Sequence, residues 1–141
     1  MSELNEITDE FKKVIKDFGK DLYGTFQDKF NSNDHSHILN IISDNNNCQE
    51  EYNALFEFCK NTYPKLFFDI LYQKEEIFQD INKKVELLPN LNFTELWNEN
   101  ISDTTKNTIW KYLQLILFSV ISNIDSNDSF GDTAKLFEAI N

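Results

Sequence analysis

From Ile109 to Ile121 apolar side chains stand on almost every face a helix could present: Ile109, Trp110, Leu113, Leu115, Ile116, Leu117, Phe118, Val120 and Ile121. A helix apolar nearly all round is stable in water only when other elements cover it. Residues 104–123 are therefore expected to form the central helix of the fold, capped at Ser102 or Asp103. Lys111, Gln114, Ser119, Ser122 and Asn123 interrupt the run, and Lys111 and Asp125 bracket its most apolar part. That part falls short of the roughly 20 apolar residues that span a bilayer.

The other segments supply partners for such a helix. Leu4, Ile7, Phe11, Val14 or Ile15, Phe18, Leu22, Phe26 and Phe30 recur at steps of three and four, predicting an amphipathic helix over about 3–30. Gly19 and Gly24 lie inside it, where each marks a bend or a close helix contact. Asn31-Ser-Asn-Asp34 breaks the chain, a short helix carries Ile38, Leu39, Ile41 and Ile42, and residues 43–47 read as a loop. A third helix covers 49–62, with Tyr52, Leu55, Phe56 and Cys59 on one stripe. Pro64 suits the first turn of a fourth, which carries Leu66, Phe67, Ile70, Leu71, Ile77, Phe78 and Ile81 to about Val85. Leu87-Leu88-Pro89-Asn90 stops it. A short helical turn follows at 94–97, capped by Asn92 or Thr94, and Asp132 caps a last helix with Ala134, Leu136, Phe137 and Ile140. No alternation of β-branched residues and no two-residue hairpin signal stands out, so β structure is expected to be near nil. The expected fold is all-α: one domain over 1–141, an irregular orthogonal bundle of six or seven helices around 104–123.

Charge narrows the function. Thirteen Lys, with no Arg, face 24 Asp and Glu, a formal net charge of −11. Such a surface repels phosphate backbones and lacks the guanidinium that reads them, so nucleic acid is excluded as a partner. Anionic membranes are excluded by the same sign. The acidic start Met1-Ser-Glu-Leu-Asn-Glu has no signal-peptide pattern. Cys48 and Cys59 read as reduced cytosolic thiols.

No constellation points to catalysis or to a cofactor. His35-Ser-His37 has no third ligand at a metal-binding spacing. The stretch from Asp125 to Asp132 resembles a calcium loop until Phe130 and Leu136 fall where Gly and Glu are required. Glu50-Glu51 and Glu75-Glu76 diverge on their helices. Cys59 could serve as a nucleophile only beside His35 or His37, and its place on an apolar stripe favours packing. The expectation is a protein without enzymatic activity, metal or cofactor.

Aromatic residues are in surplus. Tyr63, Phe67, Phe68, Tyr72 and Phe78, with Phe93, Trp97, Trp110 and Tyr112, exceed what one helix stripe can hide. Either they build a large aromatic core, or some form an exposed protein-binding face or a homodimer interface. The binding reading places that face on the 66–78 helix and the Trp97 region, with Phe68, Tyr72, Trp97, Lys111 and Gln114 as its residues.

Tyr63-Pro64-x-x-Phe67-Phe68-Asp69-Ile70-Leu71-Tyr72, Glu76-Ile77-Phe78, Leu87-Leu88-Pro89-x-Leu91-x-Phe93-x-x-Leu96-Trp97 and Ile101-Ser102-x-x-Thr105-Lys106-x-x-Ile109-Trp110-Lys111-Tyr112-Leu113-Gln114-Leu115 resemble a group of small uncharacterised, mimivirus-like proteins of nucleocytoplasmic large DNA viruses. The resemblance lies within 63–124, under half of the chain, and is most specific at Ile109–Leu115. It carries no catalytic residue. It implies expression in a host cytoplasm and a place in the virion, with a viral or host protein as partner. The abundance of Lys, Asn, Ile and Phe over Arg, Gly and Ala fits the AT-rich coding of such genomes. The expected function is thus a non-enzymatic viral interaction protein, a minor virion component or a cytoplasmic adaptor. The alternative is a host-modulating helical domain with a Bcl-2-like peptide groove, for which only length and helicity argue.

Overall fold

In the computed structural model, which describes residues 7–43 and 48–123, the chain is mostly helical with one small sheet. Helix α1 (Asp9–Thr25) starts where the Thr8 hydroxyl accepts the Phe11 amide at 3.1 Å, with Asp9 and Glu10 favourably placed in its first turn. It ends earlier than the hydrophobic spacing predicts. Phe26 leaves helical geometry, and a 3-10 turn at Gln27–Lys29 follows. The side chain of Phe26 still reaches the core, so the apolar period outlasts the helix. Helix α2 (Ser36–Ile42) and helix α3 (Gln49–Thr62) lie where the sequence places them.

The expected fourth helix, 64–85, is broken into pieces. A 3-10 turn at Tyr63–Leu66 leads into α4 (Phe67–Leu71), only five residues long. Gln73, at φ 53°, ends it in the left-handed region, and a second 3-10 turn follows at Glu75–Phe78. The break turns Phe78 inward, where its ring lies 4.7 Å from Trp97 and 5.7 Å from Trp110.

A hairpin also appears where β structure was expected to be near nil. Strand β1 (Glu86–Leu88) pairs antiparallel with β2 (Leu91–Asn92) around Pro89-Asn90, and Asn90 takes φ 62°. Asn tolerates that conformation better than most residues, so Pro-Asn between leucines was the overlooked turn signal. Buried contacts hold the hairpin in place. The Tyr63 hydroxyl donates to the Leu87 carbonyl at 2.8 Å, and Asn92 caps α5 (Phe93–Trp97) by accepting the Thr94 and Glu95 amides. His35 is buried and structural. Its Nδ1 accepts the Asn31 amide at 3.0 Å, so Nε2 carries the proton and donates to the Asn90 carbonyl at 2.8 Å.

Helix α6 (Asp103–Asn123) begins at Ser102, whose hydroxyl accepts the Thr105 amide. It packs against α1, α3, α4 and the 3-10 turn before α4. Ile109, Trp110, Leu113, Ile116, Leu117, Val120 and Ile121 are buried, and the buried apolar residues form one continuous cluster. The helix is nevertheless not enclosed. Thr104, Thr108, Lys111, Leu115 and Ser122 form an open stripe. The expected last helix, at 132–140, lies outside the described residues.

The two glycines of α1 differ in role. A Cβ on Gly19 would lie 2.9 Å from both Cδ1 and Cγ1 of Ile38 and from Cγ2 of Ile42, so α2 packs directly on that backbone. At Gly24 nothing stands within 4 Å. Gly19→Ala is accordingly expected to destabilise the protein by about 1–3 kcal/mol through overpacking, and Gly24→Ala to stabilise it by up to about 1 kcal/mol. Urea unfolding of the two variants checks this; equal effects of the same sign would contradict it.

Candidate functional site

The members of the aromatic surplus that are exposed lie at α4, which packs on α6. Phe68 and Tyr72 stand one helical turn apart on α4, 48% and 54% exposed, with their rings stacked at 6.1 Å and 9°. Phe67 points the other way into the core, and its ring meets Phe68 edge-on at 4.9 Å. Adjacent Phe residues are therefore split between inside and outside, as 100° per residue requires.

Two contacts fix how this segment lies on α6. The Gln114 amide donates to the Ile70 and Leu71 carbonyls at 3.2 Å each, satisfying acceptors at the end of α4. Further on, the Lys106 ammonium pairs with Glu75 at 3.4 Å. Residues 70–75 therefore run along α6 in reverse, from the level of Gln114 to that of Lys106. Lys111 lies between those levels, exposed, and Leu115 (46% exposed) is one turn further along the same stripe. Phe68 and Tyr72 at α4 and Lys111 and Leu115 on α6 are thus all exposed.

The other two residues expected on this face are used internally. Trp97 is only 5% exposed: it packs on Phe78 and Trp110, donates its indole N–H to Glu75 at 3.1 Å, and lies under the Lys106 ammonium at 5.3 Å. It anchors the 75–78 turn to α5 and α6 rather than offering a surface to a partner. Gln114 is half-buried, and its donors are committed to α4. Within Ile109–Leu115, then, Ile109, Trp110 and Leu113 serve the core, Gln114 positions α4, and Lys111 and Leu115 remain outside.

Leu115 is the residue on this face that sequence reasoning missed. The apolar run of 109–121 places it among residues that other elements should cover, yet it stands exposed. Its spacing of four from Lys111 was the available signal.

Cys59 is fully buried and Cys48 nearly so, and burial pushes both thiols above their ordinary range, which keeps them protonated. His35 has both ring nitrogens engaged with backbone groups, while His37 is exposed. Among the described residues no three His, Cys, Asp or Glu side chains come together as a metal site, and no helix is long and apolar enough to cross a membrane. The calcium-like stretch at 125–132 lies outside the described residues. A cleft of about 340 Å³ opens between the end of α1 and the start of α6. Its hydroxyls are largely spoken for: Tyr112 donates to Asp21, and Thr108 to the Thr104 carbonyl. Burial and the Asp21 carboxylate raise the Tyr112 phenol above its usual range, so it remains a donor.

Comparison of the chain with protein-family models, with curated proteins and with solved structures yields no match.

Removing the Gln114 amide should loosen α4 without disturbing the core. Gln114→Ala is expected to cost about 1 kcal/mol and to speed hydrogen exchange at the Tyr72, Gln73 and Lys74 amides about fivefold. Exchange at those amides that matches wild type would mean that α4 is held by other contacts.

Proposed function

We propose that this chain is a non-enzymatic interaction protein that binds another protein through the α4–α6 face. One observation carries the reading: two large aromatic side chains, one on α4 and one at its C-cap, stand stacked and half-exposed while the buried Phe67 and Ile70 of the same helix face the core. An aromatic ring left half in water forgoes part of its burial energy, and proteins place such residues where a partner completes the burial. The buried thiols and committed imidazole support the same reading, since none of them is presented as a nucleophile or base.

The binding residues of this proposal are Phe68 and Tyr72 as anchors with Leu115 and Lys111 beside them. Gln114 is a positioning residue that acts through α4. Packing of α1, α3 and α4 on α6 supports an irregular helical bundle, with α6 as its centre and one stripe left open for the partner. The setting, an infected host cytoplasm or a giant-virus particle, rests on the sequence resemblance of 63–124.

A photo-crosslinking amino acid placed at position 68 reads the contact directly in cells expressing the chain. The expected result is a discrete protein adduct from position 68 and none from position 53, an exposed site on α3. Equal labelling from both positions, or none from either, would refute the proposed face.

A further inference from the structure

His35 joins two segments of the chain through a ring that must be neutral to do so. The ring is 6% exposed. Its Nδ1 accepts the Asn31 backbone amide at 3.0 Å, and its Nε2 donates to the Asn90 carbonyl at 2.8 Å. A backbone N–H can only donate, so the first of these bonds exists only while Nδ1 keeps a free lone pair. The Asn90 side chain completes the junction by donating to the Asp34 carbonyl at 3.1 Å. One imidazole and one carboxamide thus fasten the 31–35 turn to the tip of the hairpin.

We propose that this junction is an acid-operated clasp, in which proton uptake at Nδ1 of His35 releases the 31–35 turn from the hairpin tip. The proton takes the lone pair that the Asn31 amide uses, and two N–H groups are left aimed at each other. The ring also becomes a buried cation, which needs an anion or water. The niche beside it is lined by Phe30 and Asp34, by His37 and Ile38 of α2, by Leu55 of α3 and by residues 88–91 of the hairpin. Its titratable members besides His35 are Asp34 and His37. Glu86 stands on the hairpin side of Asn90, and Tyr23 of α1 lies behind the Phe30 ring. Both carboxylates already serve amides: Asp34 accepts the Asn31 side chain at 3.2 Å, and Glu86 accepts the Asn90 backbone N–H at 3.3 Å. The imidazolium therefore turns out to water, and its bond to the Asn90 carbonyl goes with it.

An ordinary imidazole changes charge between about pH 5 and pH 8, so such a clasp answers to mild acid. The opening is local. The root of the hairpin stays tied by the Tyr63 hydroxyl on the Leu87 carbonyl and by the Phe93 amide on the Val85 carbonyl, each at 2.8 Å. What opens is the tip, and with it the cover over Ile38 and Leu91, both buried while the clasp is closed.

The chain has two histidines, so each ring can be followed separately by NMR on the isotope-labelled full chain, together with the backbone amides, from about pH 8 to about pH 5. At the upper end His35 is expected as the Nε2–H tautomer. As its ring takes up a proton, the Asn31 and Asn90 amide signals should move with the same midpoint. Exchange protection at the Asn31 amide, relative to the intrinsic rate at each pH, should fall at least tenfold, while α3 keeps its protection. His37→Gln should leave this behaviour intact, because His37 is exposed. His35→Gln keeps an amide donor but has no site for a proton, so it should abolish the pH dependence. If that variant does not fold, wild type and His37→Gln decide the matter by themselves. A His35 ring that becomes charged while the Asn31 and Asn90 signals stay still would overturn the clasp. So would a ring that remains neutral to the lower end of the range, or amide shifts that follow His37 and vanish in His37→Gln.

Discussion

The placement of α4 against α6 is the constraint on which the exposed surface depends. Five residues of helix have little stability of their own, because nucleation costs more than so short a helix recovers. Helix α4 persists because Ile70 and Phe67 are buried and because Gln114 satisfies two carbonyls at its end. The left-handed Gln73 then turns the chain so that Phe78 joins Trp97 and Trp110, with Glu75 held by the Trp97 indole and Lys106. With both ends of the segment tied to α6, the direction of its outer side chains is no longer free. Phe68 and Tyr72 face water because Phe67, Ile70 and Phe78 face in.

The same economy accounts for the three aromatic populations. Phe11, Phe18, Tyr63, Phe78 and Phe93 fill the interior, and the buried Tyr63 hydroxyl has its partner on the hairpin. Trp97, Trp110 and Tyr112 lie at the margin of the core, each ring packed on another aromatic ring; Trp97 and Tyr112 also have carboxylate partners. Among the described residues, Phe68 and Tyr72 alone of the exposed large apolar side chains form a stacked pair, whereas Ile81 stands on an irregular segment. An isolated exposed Ile needs no explanation, but a stacked, half-exposed aromatic pair does.

Much of this organisation is written in the hydrophobic spacing. Helices α2 and α3, the Ser102 cap, the Asn92 cap and the buried stripe of α6 follow from local rules of period and capping. Period alone could not tell how far a helix continues. Phe26 and Phe78 keep the apolar rhythm of α1 and α4, yet reach the core from outside those helices. The hairpin escaped because its strands are three and two residues long, too short for alternation to register. For the face, Phe68 and Tyr72 could be read from adjacency with Phe67 and Leu71. Trp97 and Gln114 could not, because their fate depends on Glu75 and on the end of α4, contacts that span 22 and more than 40 residues of sequence.

The most direct test of this account is the mass and melting temperature of a Phe68→Glu, Tyr72→Glu double variant beside wild type, by light scattering and circular dichroism. If α6 holds the pair outward for a foreign partner, both proteins are monomers, and the variant stays folded. Its melting temperature should fall by no more than about 10 °C, the cost of the half of each ring that is buried. An unfolded variant would show that the two rings belong to the core, and a wild-type dimer that the variant splits would show that the face is already taken by a second copy.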